Sequence, residues 1–171
     1  MKYVLTFIFL VVLNSAFAQI IVINKDHIVI NGNRLDSTSL IDDYIAILGK
    51  PDRKFEGANN IYTYDDLGIY IYENYHDGNK IIEVSIDFRK DRELDFSPKH
   101  KFKGIILLSE YNMKLNKHIG VRKMKKKCEK HHNKSLELEF GDSQFEYGSF
   151  LFLFEHNFWL TKTKNFTIDF D

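Results

Sequence analysis

IYIYENYHDGNKIIEVSIDF, running from Ile69 to Phe88, is the stretch on which the reading of this chain turns. Ile69 to Tyr75 is rich in β-branched and aromatic residues, His76-Asp77-Gly78-Asn79 is a turn signal, and Lys80 to Phe88 resumes the strand character. In the second arm Val84, Ile86 and Phe88 alternate with Ser85 and Asp87, which predicts one buried and one wet face, as in an antiparallel sheet covered on one side. A second stretch, LFLFEHNFWLTKTKNFTIDF from Leu151 to Phe170, aligns with the first without a gap at an offset of 82 positions, with five identities in twenty. Glu73 matches Glu155, Lys80 matches Lys162, and Ile86-Asp87-Phe88 matches Ile168-Asp169-Phe170. The match predicts a tandem repeat of one small unit.

Outward from the hairpin, Gln19 to Asn24 and His27 to Asn31 are β-branched runs around Lys25-Asp26, and Asn31-Gly32-Asn33 is a further turn signal. The period then changes. Leu40, Ile41, Tyr44, Ile45 and Leu48 recur at helical spacing, Ser39 with Asp42 suggests an N-terminal cap, and Gly49 with Pro51 a stop. Ile61 to Tyr64 reads as a strand before the turn Asp65-Asp66-Leu67-Gly68. Arg89 to Lys103 is charged, aperiodic and carries Pro98, so it reads as a linker. The second half is expected to hold strands at Gly104 to Leu108, Ser135 to Phe140, Phe150 to Phe154 and Asn165 to Phe170. A helix from Asn116 to about Lys130 is marked by Val121, Met124 and Cys128. The expected class is α+β: antiparallel sheets with one main helix per half. The halves divide as 19–95 and 96–171, packed as one globular body.

Met1-Lys2-Tyr3, the apolar run Val4 to Leu13 and the ending Asn14-Ser15-Ala16-Phe17-Ala18 have the form of a signal peptide over 1–18, cleaved ahead of Gln19. The chain is therefore expected to be exported, periplasmic or secreted. No cysteine follows the cleavage site, so a lipoprotein is not expected, and the single Cys128 excludes an intramolecular disulfide. With 24 Lys/Arg against 24 Asp/Glu the net charge is zero, which disfavours a nucleic-acid partner. The charge is uneven all the same: Lys114 to Lys134 holds nine Lys/Arg against Glu129 alone.

The segment LGKPD, Leu48 to Asp52, followed by strands carrying Tyr62, Tyr64 and Asp65-Asp66-Leu67-Gly68, resembles the small periplasmic domains of the SmpA/BamE type. That resemblance implies a helix ending in Leu-Gly-x-Pro packed on an antiparallel sheet. The doubling resembles the tandem architecture of the β-lactamase inhibitor proteins, which implies an aromatic sheet face that grips an enzyme. The LGKPDR and YDDLGIYIY segments are also similar to those of small exported bacterial proteins.

Tyr62 with Tyr64, and Tyr70 with Tyr72, share faces of neighbouring strands and form a candidate docking surface for another protein. Phe152 and Phe154 occupy the matching place in the second half. The alternative is that these rings are core. Arg122, Lys123, Lys125, Lys126 and Lys127 form a basic run suited to steering an acidic partner or touching an anionic membrane surface, against the simpler reading of a solvated helix face. Cys128, His131, His132 and His118 carry metal-ligand chemistry without a closed ligand set, so neither a metal nor a cofactor is expected. Asp65, Asp66, Glu73 and Asp77 are the nearest approach to a catalytic cluster, and no nucleophile elbow or phosphate loop accompanies them. The resulting expectation is an exported protein-binding protein, an inhibitor or immunity-type molecule, rather than an enzyme. The alternatives are an assembly factor of the SmpA/BamE type and an enzyme or small-ligand binder using the turns at Asp65 and His76.

Overall fold

The computed structural model describes residues 19–74, 76, 78–89, 94–116, 118, 126, 130, 144–147, 149–156 and 163–170. Among them are twelve strands and one α-helix, α1, Ile41–Leu48. The strands β1 (Ile20–Ile23), β2 (Ile28–Ile30), β3 (Asn33–Leu35), β8 (Ile105–Leu108) and β9 (Met113–Leu115) form a five-stranded sheet in the order β3-β2-β1-β8-β9. The strands β4 (Arg53–Phe55), β5 (Asn60–Tyr64), β6 (Ile69–Asn74), β7 (Lys80–Asp87), β10 (Gln144–Tyr147), β11 (Phe150–His156) and β12 (Thr163–Phe170) form a seven-stranded sheet in the order β10-β11-β12-β7-β6-β5-β4.

Period-2 alternation explains why both sheets form. Ile21, Ile23, Ile28, Ile30, Leu35, Ile106, Leu108, Met113 and Leu115 all turn inward from the small sheet, and Tyr62, Tyr64, Ile69, Ile71, Ile81, Val84, Ile86, Phe166 and Ile168 join them from the large one. Together with Tyr44 of α1 they make a single core, in which most of these side chains are fully buried. Asn31 (φ 51°) and Gly32 (φ 87°) form the two-residue β2–β3 turn, for which two positive φ angles are the favoured geometry.

The fold class therefore differs from the expected α+β arrangement with one main helix per half. The described chain is mostly β, and its two sheets bury one another rather than each burying a helix. Helix α1 is only 8 residues long and buries Tyr44 alone. The Asp43 carboxylate, not Asp42, accepts the Leu40 N–H at its start (2.9 Å), while Ser39 Oγ accepts the Asp36 N–H (3.0 Å). Of the helix expected over Asn116 to Lys130, only Asn116, His118, Lys126 and Lys130 are described, and all four are exposed.

The tandem helix-on-sheet unit is likewise corrected. β1, from the start of the chain, pairs in parallel with β8, and β7 pairs with β12, so both sheets take strands from both halves. The two matched hairpins stand side by side, and Ser85 faces Thr167, its match at 82 positions, with their hydroxyls 2.7 Å apart. Inside the hairpins the correspondence slips by one residue: Ile69 lies opposite Ile86, but Leu151 lies opposite Asp169 instead of Ile168. A one-residue slip exchanges the faces of a strand. Phe152 and Phe154 thus stand opposite Ile168 and Phe166, the equivalents of Ile69 and Ile71 rather than of Tyr70 and Tyr72.

The expected linker is not one either. From Leu94 to Lys103 the chain is fastened over the outer face of the large sheet. Thr63 donates to the Phe96 carbonyl (2.8 Å), the Asp65 carboxylate accepts the Lys99 N–H (3.0 Å), and the His100 N–H reaches the Asp65 carbonyl (3.0 Å). The Phe96 ring packs on Tyr70, Tyr72 and Phe55 with centroids 5.7, 5.9 and 6.4 Å away. Ser85 and Asp87 of the same sheet, expected to be wet, are buried, Ser85 against Thr167 and Asp87 against Arg89.

Candidate functional site

The same segment ends in a groove. In Lys101-Phe102-Lys103, outside the strands, Phe102 is 6% exposed and packed in the core, while Lys101 is half-buried and Lys103 exposed. Phe102 donates its N–H to the Asp87 carbonyl (2.7 Å), and its ring meets Phe88 edge to face, with centroids 6.2 Å apart. Two glycines allow this approach. A Cβ on Gly68, where φ is +70°, would overlap the backbone of Phe102, and one on Gly104 would overlap the Gln19 carbonyl and the Phe102 ring. On β9, Lys114 is exposed between the buried Met113 and Leu115, and past the strand the Asn116 side chain accepts the His118 N–H (2.9 Å).

These pieces line an open groove of about 450 Å³, walled by Phe88, Phe102, Leu115, Lys101, Lys103 and Lys114, with Asn116 and His118 at its rim. Among the described residues, none of the three lysines is ion-paired. The groove therefore combines apolar walls with three uncompensated positive charges. That pairing of properties suits a ligand that is apolar at one point and anionic around it.

The outer face of the large sheet contrasts with it. Arg53 holds Asp65 through two nitrogens (2.6 and 3.1 Å) and also donates to the Ser97 carbonyl (2.8 Å), while Lys99 lies 3.1 Å from the same carboxylate. Burial by itself would raise the Asp65 carboxyl, but the hydrogen bonds from Arg53 and Lys99 outweigh it and hold it down at about 2. Asp87 and Arg89 form a second such pair (3.0 Å). Further along, Tyr72, Glu83 and Asp169 stand in one cross-strand row. Burial raises the Glu83 carboxyl; a hydrogen bond from Ser85 opposes the rise and the Asp169 charge adds to it.

The tyrosines of the expected docking surface fall inside the molecule. Tyr62 and Tyr64 face the small sheet at 8% and 2% exposure. Tyr62 donates to Glu73 Oε2 (2.8 Å), which also accepts from Asn60 (2.8 Å). Tyr70 is buried beneath Phe96 and Tyr72 is half-buried beside it. Of the basic run, Lys126 is exposed with helical backbone, and Arg122, Lys123, Lys125 and Lys127 lie outside the described residues. Cys128, His131, His132 and Asp77 also lie outside them, and among the described residues no cluster of His, Cys, Asp or Glu is arranged to hold a metal ion. Asp65 is a buried structural carboxylate, and Asp66 is exposed 3.6 Å from His100. Reading the sequence singled out neither Lys101 nor Lys103, which sat within the supposed linker, and it took Lys114 only as the start of the basic stretch to Lys134.

Fold and groove together define a two-sheet, mostly β protein with a basic, apolar-walled recess at the end of its sandwich. The chain belongs to the family described as Domain of unknown function (DUF7738), whose profile matches residues 20–123. No curated protein and no solved structure matches the chain. The matched span contains the whole five-stranded sheet, β4 to β7 and every residue of the groove, and it stops before β10. Among the described residues no helix is long and apolar enough to cross a membrane.

Proposed function

We propose that this protein is an exported binding module, not an enzyme, that docks an acidic partner protein on the side of the molecule carrying the Lys101, Lys103 and Lys114 groove. The observation that carries the reading is the state of those three lysines. The chain has 24 Asp and Glu for its 24 Lys and Arg, yet Glu110, four residues before Lys114, is paired with Lys25, and Asp65 and Asp87 are bound to Arg53, Lys99 and Arg89. The groove is left positive. Clustered charge of one sign raises the encounter rate with an oppositely charged surface and rejects like-charged ones. The basic run from Arg122 to Lys127 begins four residues after His118 and adds to the same sign.

An inhibitor or immunity-type role follows if the partner is an enzyme or toxin whose acidic surface is occluded. Export, proposed on the strength of the segment 1–18, would place such a partner in the envelope or outside the cell. Asp65, the best candidate for acid–base chemistry, is engaged by Arg53 and Lys99 and holds the covering segment in place, which favours binding over turnover.

The test is capture by the mature chain, Gln19 to Asp171, from native envelope and secreted fractions, washed in low and in high salt and identified by mass spectrometry. A stoichiometric acidic protein retained at low salt and released at high salt supports the reading. A partner indifferent to salt, or of basic surface charge, contradicts it.

A further inference from the structure

We infer that the groove is an anchor pocket for one aromatic or branched aliphatic side chain of the partner, carried on a segment whose neighbouring residues are carboxylates. The inference rests on the acidic-partner reading and adds to it what occupies the recess. A purely acidic surface would use Lys101, Lys103 and Lys114 and leave the half-buried Phe88, with the edges of Phe102 and Leu115 behind it, in contact with water. A purely apolar group would fill the walls and leave three ammonium groups partly desolvated without partners, which costs free energy. Only a mixed occupant satisfies both halves of the lining.

The recess is also built in advance. Phe102 is fixed by its N–H bond to Asp87, by the Phe88 ring, and by the two glycines that let the chain close around it. At about 450 Å³ the groove has room for one large side chain and the backbone on either side of it. A pocket already shaped in the free protein loses little conformational entropy on filling, and binding energy at protein surfaces concentrates at such central anchors.

The probes are two acetylated, amidated pentapeptides, Glu-Glu-Phe-Glu-Glu and Glu-Glu-Ala-Glu-Glu, with free phenylacetate as the third. Each is titrated into the ¹⁵N-labelled mature chain and followed by amide chemical shifts. The phenylalanine peptide is expected to bind at least about tenfold more tightly than the alanine peptide, as loss of an anchor residue implies. The shifts are expected to centre on Lys101 to Gly104 and Lys114 to Asn116. Lys103→Glu should weaken both peptides, whereas Phe88→Ala, at a half-buried position, should erase the difference between them.

Equal binding of the two peptides overturns the anchor and leaves the acidic-partner reading standing. Phenylacetate binding as tightly as the phenylalanine peptide also overturns it, in favour of a small-molecule site. If neither peptide binds, the anchor is overturned; if capture of the natural partner is also indifferent to Lys103→Glu, the acidic-partner reading falls with it.

Discussion

The outer face of the seven-stranded sheet and the groove beside it are both rich in charge and aromatic rings, and they use them in opposite ways. On the sheet face Arg53, Asp65, Lys99, Asp87 and Arg89 are bound to one another, and Phe96 caps Tyr70 and Tyr72. In the groove Phe88 and Phe102 line an open recess, and the three lysines have no acid among the described residues. The difference teaches that exposure and pairing, not residue type, separate charge that holds the fold from charge left open to solvent. Paired, buried charge fixes the segment 94–103 on the sheet. A few residues further along, Lys101, Lys103 and Lys114 have no acidic partner among the described residues.

Breaking the sheet-face pairing should have the largest effect on stability. Arg53→Ala removes the two-nitrogen partner of a carboxylate that is 4% exposed and should cost about 3 kcal/mol in urea unfolding, because the buried charge is left with only the exposed Lys99 beside it. A loss close to zero would show that Lys99 alone is a sufficient partner. Next comes Gly68→Ala, which forces a side chain into a positive-φ position against the Phe102 backbone and should cost about 2 kcal/mol. Since it displaces Phe102, it should also weaken partner binding, which Arg53→Ala should affect far less once the protein is folded.

The two acids sharpen the contrast through pH. The Asp65 carboxyl is lowered on folding, so its contribution is present above the ordinary carboxylate range and lost as pH falls through about 2. Glu83 is raised, so its contribution is full below its unfolded value and lost as pH rises through the folded one. Glu83→Gln should therefore raise the melting temperature at neutral pH and flatten its decline with rising pH above the ordinary glutamate range. A neutral-pH melting temperature that falls in this variant would contradict the placement of Glu83 under cover beside Asp169. The smallest effect on stability is expected in the groove, where Lys103→Glu should leave the melting temperature unchanged while weakening binding.

Most strands were legible in the sequence, because β-branched and aromatic runs such as Ile28 to Ile30, Ile69 to Ile71 and Val84 to Ile86 carry the residues that the core buries. What the sequence did not show is what covers each face. Ser85 and Asp87 are polar, so they read as wet, yet both are buried, with Thr167 and Arg89 as their partners, and a segment starting at Leu94 covers Thr63 and Tyr70 on the same sheet. The match at 82 positions did bring two hairpins into register at Ser85 and Thr167, but the slip between β11 and β12 is invisible to an ungapped alignment. The parallel pairing of β1 with β8 joins residues some 85 positions apart, and no local signal announces it. The groove escaped notice for the same reason: Lys101 to Gly104 and Lys114 to His118 come from two separate stretches that only the fold brings together.

The most direct test combines three charge reversals, Lys101→Glu, Lys103→Glu and Lys114→Glu, in one mature chain, and compares it with the unaltered chain for melting temperature and for affinity toward the captured partner. The account predicts an unchanged melting temperature and loss of the partner at all salt concentrations. A folded triple variant that holds the partner as tightly as the unaltered chain would contradict it.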